Sequence, residues 1–570
     1  MYRIVSTTTL FFILTVLIWS CSPSASTDEN ADKKNIINPT LGFRPNILWL
    51  VAEDQSPNIP SFGDSTIATP TLSWLASQGV CYDNFFSAHP VCAPARASII
   101  TGMYANHIAA SHMRTGPWSS HDVTQKAIDA YSQRLSLAGI KAYEAMPPAE
   151  TKMFTEFLRT AGYYCTNNAK EDYQFRKTMT AWDESSKQAH WRNRAKGQPF
   201  FAVFNFEVTH ESQIWAKAND SLWVDKDINV PIPPYLPDTE VGVTDVRRMY
   251  SNIVEMDAKV SKVLDQLKAD GLLDSTIVVW YTDHGGPLPR QKRLLYDAGI
   301  KVPMIIRFPN GQFASMRDDR MISFIDLAPT MLSLVGIEPK KYMDGKAFLG
   351  QFIRTEEPTY VFGAADRFDE LTDRNRSARD NRYKYIRYYM PEKPMIINVA
   401  YRQQMPIMKE LLRLYDEGKL TETQSLWFRE TKPKEEFFDT WNDPHEIHNL
   451  AGDPAYAEKL TELSTAMDQW LQSFDDTGLK DEKDLLAQIW PNGKQPVTTN
   501  PVITLNNGKA QITCTTEGAS IGYKIVREGD DGKAMSWKIY TNPFELPAEV
   551  KLITVADRIG YIRSEEVSYK

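Results

Sequence analysis

The sequence predicts an α/β fold: a large, mostly parallel sheet flanked by helices, then a smaller α+β subdomain and a C-terminal all-β sandwich. Three observations predict it. Continuous apolar runs at Asn46–Val51, Phe200–Phe206, Thr276–Tyr281 and Val302–Phe308 have the pattern of strands buried on both faces. Segments with helical spacing alternate with them, the order that builds parallel sheets. Beyond about residue 375 the runs alternate instead, and beyond Pro501 no helical period is left.

In chain order, Arg3 and the apolar stretch Leu10–Trp19 form a leader too short to span a membrane. It ends at Leu17-Ile18-Trp19-Ser20-Cys21, which resembles a bacterial lipoprotein signal and implies that Cys21 is acylated. Residues 1–20 are then a signal peptide and 21–43 a polar tether, which predicts an exported protein held to a bacterial membrane, in the periplasm or at the cell surface. Pro70-Thr71 opens a helix that Gly79 closes. Thr151–Ala161 is helical and leads to a strand at Tyr163–Thr166. A long amphipathic helix covers about 245–269. The α/β catalytic domain is expected over 44–375 and the subdomain over 376–490, starting with the alternating strand Tyr383–Tyr388. A Pro/Asn/Gly-rich linker at 491–501 precedes short strands over 502–570, read as an independently folding β-sandwich dispensable for chemistry.

The chain has 570 residues, 42% hydrophobic and 24% charged, an ordinary globular balance that calls for more than one core. Its net charge of −8 gives no footprint for nucleic acid, so an anionic substrate needs local arginine and lysine. Five cysteines, two with other uses, leave an odd three, which excludes a complete disulfide framework.

Each buried run ends in ionisable residues: Glu53 and Asp54 after the first, His210 after the second, Asp283 and His284 after the third. Ligands in open α/β sheets bind at this carboxyl edge. Three carboxylates and an imidazole make a cation site. Calcium is favoured over magnesium, and zinc would call for more nitrogen or sulfur.

Cys92-Ala93-Pro94-Ala95-Arg96, followed by Ser98 and Thr101-Gly102, resembles the signature of type I sulfatases. That resemblance implies an alkaline-phosphatase-like superfold over about 44–490. It also implies that a maturation enzyme oxidises Cys92 to formylglycine, whose hydrate attacks sulfur. Pro94 is expected to keep Ala93 extended, and Arg96 to hold the hydrate and a sulfate oxygen. Glu53-Asp54 matches the family's acidic pair, with Glu in place of the commoner Asp, and Asp283-His284 matches its late metal pair. Gln291-Lys292 through Gly299 matches a family segment and makes Lys292 a sulfate-binding lysine. His210 matches the proton donor to the leaving oxygen, and its carboxylate neighbours are expected to keep it protonated at neutral pH. Lys170 fits a lysine that contacts the formylglycine. Asp172 stands where many relatives have histidine, so either Asp172 or a nearby group such as His112 fills that role. Asp366, Arg367, Asp369, Arg382 and Arg387 resemble a substrate-side segment. The tail resembles chitobiase-like modules of carbohydrate enzymes.

The implied activity is hydrolysis of sulfate esters on a polysaccharide or its oligosaccharides, of algal ulvan, carrageenan or fucan type or a glycosaminoglycan. One competing class is a phosphatase or phosphodiesterase of the same superfold, but nine histidines and no His-rich metal motif speak against two zinc ions. The other is a non-catalytic glycan-binding lipoprotein, disfavoured because the catalytic positions are retained.

Overall fold

Asn46–Ala52 (β1) is buried at every residue and hydrogen-bonds to a parallel strand on each side, which makes it the centre of the main sheet. The other strands are Val80–Phe86 (β2), Tyr164–Asn168 (β3), Glu184–Ser185 (β4), Phe200–Phe206 (β5), Thr276–Thr282 (β6), Lys301–Arg307 (β7), Met316–Asp318 (β8) and Ile322–Ser323 (β9). Their order is β4-β3-β5-β1-β6-β7-β2-β8, with β9 also on β2. The sheet is mostly parallel, but β7 runs against both β6 and β2. That reversal brings the first residues of β7 to the carboxyl end of β6, where Tyr281 faces Met304. The computed structural model describes Met1 and residues 37–569, apart from 119–122, 137, 138 and 534. The leader, Cys21 and most of the tether lie outside the described residues.

The helix Cys92–Thr101 is buried throughout. Val91 caps it in an extended conformation, and Gly102 ends it with φ at 72°, the left-handed turn that glycine tolerates. Pro94 lies inside the first turn, so Ala93 is helical and not extended. Proline fits there because the first N–H groups of a helix have no intrahelical partner to lose. The long helix is Glu240–Ala269, starting one turn before the expected residue because Thr239 caps it through Gly242 N–H. Its Asp257 accepts from the N–H groups of Thr71 and Leu72 at 3.1 and 2.8 Å, tying down the helix Pro70–Ser77.

Val361–Ala365 (β10), Asn375–Arg379 (β11), Tyr383–Tyr388 (β12) and Glu435–Asp439 (β13) form a second, antiparallel sheet in that order. It begins at Val361, upstream of the 375/376 boundary read from the sequence. The helix Ala457–Gln472 covers it, with Trp470 stacked on Phe362 at 4.9 Å.

The tail builds two small antiparallel sheets around Ala510, Ile512 and Leu552. It does not hang free. Residues 38–570 form one unit, and the tail grips the segment between 144 and 183. The buried carboxylate of Asp557 accepts from Met179 N–H at 3.0 Å. Arg159 donates to Trp537 O at 2.6 Å and Lys152 to Gly518 O at 2.5 Å. Gly518 approaches Ala149 so closely that a Cβ would sit 1.8 Å from its carbonyl oxygen. Gln495, within the proposed linker, bonds both Glu144 and Gly560 at 3.0 Å.

Candidate active site

β1, β6 and the helix Cys92–Thr101 deliver one cluster at the carboxyl edge of the sheet. Backbone pairing sets it: Asp283 N–H donates to Ala52 O, and Asp54 N–H to Asp283 Oδ1 at 3.1 Å. Asp54 has φ at 44°, so the chain turns sharply where it leaves β1. Cys92, fully buried at the first helical position, points Sγ at His284 Nε2 (3.2 Å) and Asp54 Oδ1 (3.8 Å). His284 Nε2 is 3.0 Å from Asp54 Oδ1 and 3.7 Å from Asp283 Oδ1.

Cations ring this core, each held by carboxylates. Arg96 reaches Asp283 Oδ2 through Nε (3.1 Å) and Nη2 (3.0 Å), and Asn205 Oδ1 through Nη1 (2.7 Å). Lys170, two residues beyond β3, donates to Glu53 Oε2 at 2.8 Å. Lys292 lies between Asp54 Oδ2 (2.6 Å) and Glu211 Oε1 (3.1 Å), with His210 Nε2 at 3.3 Å. Glu53, Asp54, Cys92, Arg96, Lys170, His210, Asp283, His284 and Lys292 are thus brought together. A chain of net −8 presents fixed positive charge here.

Burial opposes ionisation of Asp54, but Lys292, His210 and His284 together hold its carboxyl well below the usual carboxylate range. Burial raises Glu53, with Lys170 opposing. Burial disfavours the imidazolium of His284, yet Asp283 and Asp54 lift it to about 10. His210 departs from expectation. Burial and then Lys292 lower it, outweighing Asp54 and Glu53, and the ammonium at 3.3 Å is nearer than Asp54 at 4.0 Å.

The donor set fits a hard cation. One ligand atom each from Asp54, Cys92, Asp283 and His284 lie within 4.8 Å of one another, and so do those of Glu53, Asp54, Cys92 and His210. Glu53 Oε1 is buried without a hydrogen-bond partner, its nearest cation being Arg96 Nη2 at 3.8 Å, which leaves it short of the closer positive partner a cation would supply. Carboxylate oxygens with one imidazole suit calcium or magnesium better than zinc.

Other expected residues lie elsewhere. Asp172, 1% exposed, pairs with Arg114 and stands 3.9 Å from Lys170 Nζ, so it touches the cluster only through that lysine. His112 is buried, with Nδ1 3.4 Å from Arg367 N and Nε2 unpartnered. Arg367 is not open to a substrate. It is fully buried, clamps Glu482 with two hydrogen bonds (2.6 and 2.8 Å) and donates to Met113 O, so it joins the subdomain to the catalytic part. Arg382 is bound to Asp439 and packs on Trp441 instead of on the cluster.

Sequence reading missed Glu211, Arg293, Arg114 and Asn205. Glu211 N–H donates to Asp54 Oδ2 at 2.7 Å, and its carboxylate takes both Arg293 Nη1 and Nη2, at 2.9 and 2.7 Å. The available signal was adjacency: Glu211 follows His210 and Arg293 follows Lys292.

A buried cysteine at a helix start, set among carboxylates and cations at the strand edge, defines a sulfuric ester hydrolase of the alkaline-phosphatase-like fold. The chain belongs to the sulfatase family, whose model matches residues 45–337. The N-sulphoglucosamine sulphohydrolase C-terminal model matches 290–427. An ulvan-active sulfatase of Formosa agariphila is 48% identical over 563 residues, covering 92% of this chain and 91% of that one. Human N-sulphoglucosamine sulphohydrolase is 24% identical over 75% of this chain and 89% of its own. Among solved structures, BT4656 in complex with its substrate D-glucosamine-2-N,6-O-disulfate shares the fold. Its TM-score is 0.54 at 15% identity, over 77% of this chain and 100% of that one.

Proposed function

We propose that this sulfatase removes sulfate esters from a sulfated polysaccharide of the ulvan type, through a formylglycine made from Cys92. The 48% identity to an ulvan-active sulfatase along 92% of the chain supports the substrate. The observation that carries the chemistry is Cys92 Sγ in contact with both His284 and Asp54, ringed by Arg96, Lys170 and Lys292. Formylglycine hydrate supplies an oxygen nucleophile and a second hydroxyl whose collapse to the aldehyde releases the captured sulfate. Glu53, Asp54, Asp283 and His284 would hold a divalent cation, calcium in our reading, that adds positive charge at a sulfate oxygen.

The chain's own groups do the rest. Arg96 is fixed by Asp283 and Asn205, and Lys292 by Asp54 and Glu211, so neither cation must reorganise when a sulfate arrives. Lys170 is held the same way by Glu53. Cleavage leaves negative charge on the sugar oxygen, which needs a proton. Ser212 N–H donates to His210 Nδ1 at 3.2 Å and the Ser212 hydroxyl lies 2.9 Å from the same nitrogen, which leaves Nε2 as the nitrogen turned to the cluster. Nε2 faces Lys292 at the cluster, and His210 is its most solvent-accessible member at 15%. That exposure supports His210 as the donor, and Lys292 beside Nε2 would favour release of a proton once His210 carries it.

The test is sulfate release from ulvan, carrageenan and heparin by the enzyme made with a maturation enzyme. Release from ulvan above the other two is expected. Release from heparin alone would overturn the substrate reading.

A further inference from the structure

Trp441 is the most exposed large hydrophobic side chain among residues 37–569, at 67%. It is nonetheless fixed. Its Nε1 donates to Asn381 O at 2.9 Å, and the Arg382 guanidinium lies 5.4 Å from the ring centre. Asp439 in turn holds Arg382 through two hydrogen bonds, at 2.9 and 2.5 Å. Leaving so much apolar surface in water forgoes burial worth about 25 cal/mol per Å². A rigid indole has little rotamer freedom left to lose when something stacks on it.

Beside the indole lies a cavity of about 600 Å³. That is within the roughly 300–1,000 Å³ typical of ligand pockets. Asn58, Asn84 and Asn381 line it together with Lys301, Arg379 and two carboxylates, Asp319 and Asp297, the latter neutralised by Arg379 and Lys384. Side-chain amides donate and accept at once, which matches hydroxyl groups. Arg379 is committed to Asp297, but Lys301 forms no ion pair among the described residues. An apolar platform, amides and an unpaired ammonium are the complement of a sugar ring, its hydroxyls and an attached anion.

The cavity stands on the catalytic edge of the sheet. Lys301 begins β7 beside the end of β6, Asn58 follows Glu53-Asp54 on the loop after β1, and Gln291 in its wall precedes Lys292. None of the nine clustered residues lines it. We propose that Trp441 and this cavity form an accessory binding site for a sulfated polysaccharide, distinct from the cluster at Cys92. This rests on the polysaccharide reading above. A second contact on the same polymer raises its effective concentration at the catalytic site without touching the chemistry.

The experiment is affinity electrophoresis through gels containing ulvan. It compares Cys92→Ala with Cys92→Ala/Trp441→Ala, so that turnover does not consume the ligand. Removing the indole is expected to weaken retardation by about threefold or more, and Trp441→Phe to restore much of it. In matured enzyme, Trp441→Ala should raise KM for ulvan while leaving kcat/KM on a small aryl sulfate unchanged. Equal retardation of the two proteins overturns the site. Retardation that depends on Trp441, with no sulfate released from ulvan by matured enzyme, would instead sink the substrate reading and leave the site standing.

Discussion

Lys292 Nζ stands 3.3 Å from His210 Nε2, so the lysine proposed to clamp sulfate bears directly on the histidine proposed to donate the proton. His210→Ala should slow sulfated sugars, whose alkoxide leaves poorly, by about 10²–10⁴-fold. An aryl sulfate, whose phenolate leaves unaided, should slow far less. Steady-state kinetics on both substrates checks this. Equal loss would mean that His210 binds substrate and does not donate.

Cys92 should be found as formylglycine in active enzyme. Peptide mass spectrometry is expected to show a loss of about 18 Da, the change from CH2SH to CHO on oxidation. Cys92→Ala should abolish turnover with an unchanged circular dichroism spectrum. Full activity with an unmodified thiol would refute the role.

Asp54 receives Lys292, contacts Cys92 and sits beside His284 and Asp283. Asp54→Ala should therefore lose bound divalent metal and activity together, read by elemental analysis of the purified protein. Metal retained at wild-type stoichiometry would exclude Asp54 as a ligand.

Asp557→Ala removes a buried acceptor from Met179 N–H in the segment that carries Lys170. The expected cost is about 1.5–3 kcal/mol of stability, as for hydrogen bonds to charged groups, measured by urea unfolding. A chain ending near residue 490 should lose turnover on a small sulfate ester as well as stability. Unimpaired turnover would restore the view of the tail as an appendage.

His89 gives the pH dependence. Burial, then Arg376, lowers its pKa from 6.5 to about 3. Between those values the unfolded chain takes up a proton that the folded one refuses, so this group makes stability fall as pH falls through that window. The slope is about 1.4 kcal/mol per pH unit. His89→Gln should flatten the acid limb of stability against pH. An unaltered limb would assign acid sensitivity to other groups.

The main sheet and its catalytic edge were legible in the sequence because strands buried on both faces are continuous apolar runs, and their ends are marked by charge. β5 matches the expected range residue for residue. What escaped was set by distant partners. Arg367 carries the same guanidinium whether it faces a sugar or Glu482, and only the fold decides. The state of His210 depended on an ammonium 82 residues away in the chain. The linker near 491–501 has the composition of a free hinge, yet Gln495 is pinned to Glu144, a contact no local pattern encodes.

Cys92 has no surface exposed to solvent in the finished fold. The formylglycine proposal therefore requires that a modifying enzyme reach Cys92 before the helix Cys92–Thr101 is enclosed. Met179, in the segment that carries Lys170, has its partner, Asp557, 378 residues downstream. On that proposal the residue to be altered leaves synthesis well before the partners that complete the fold around its neighbours.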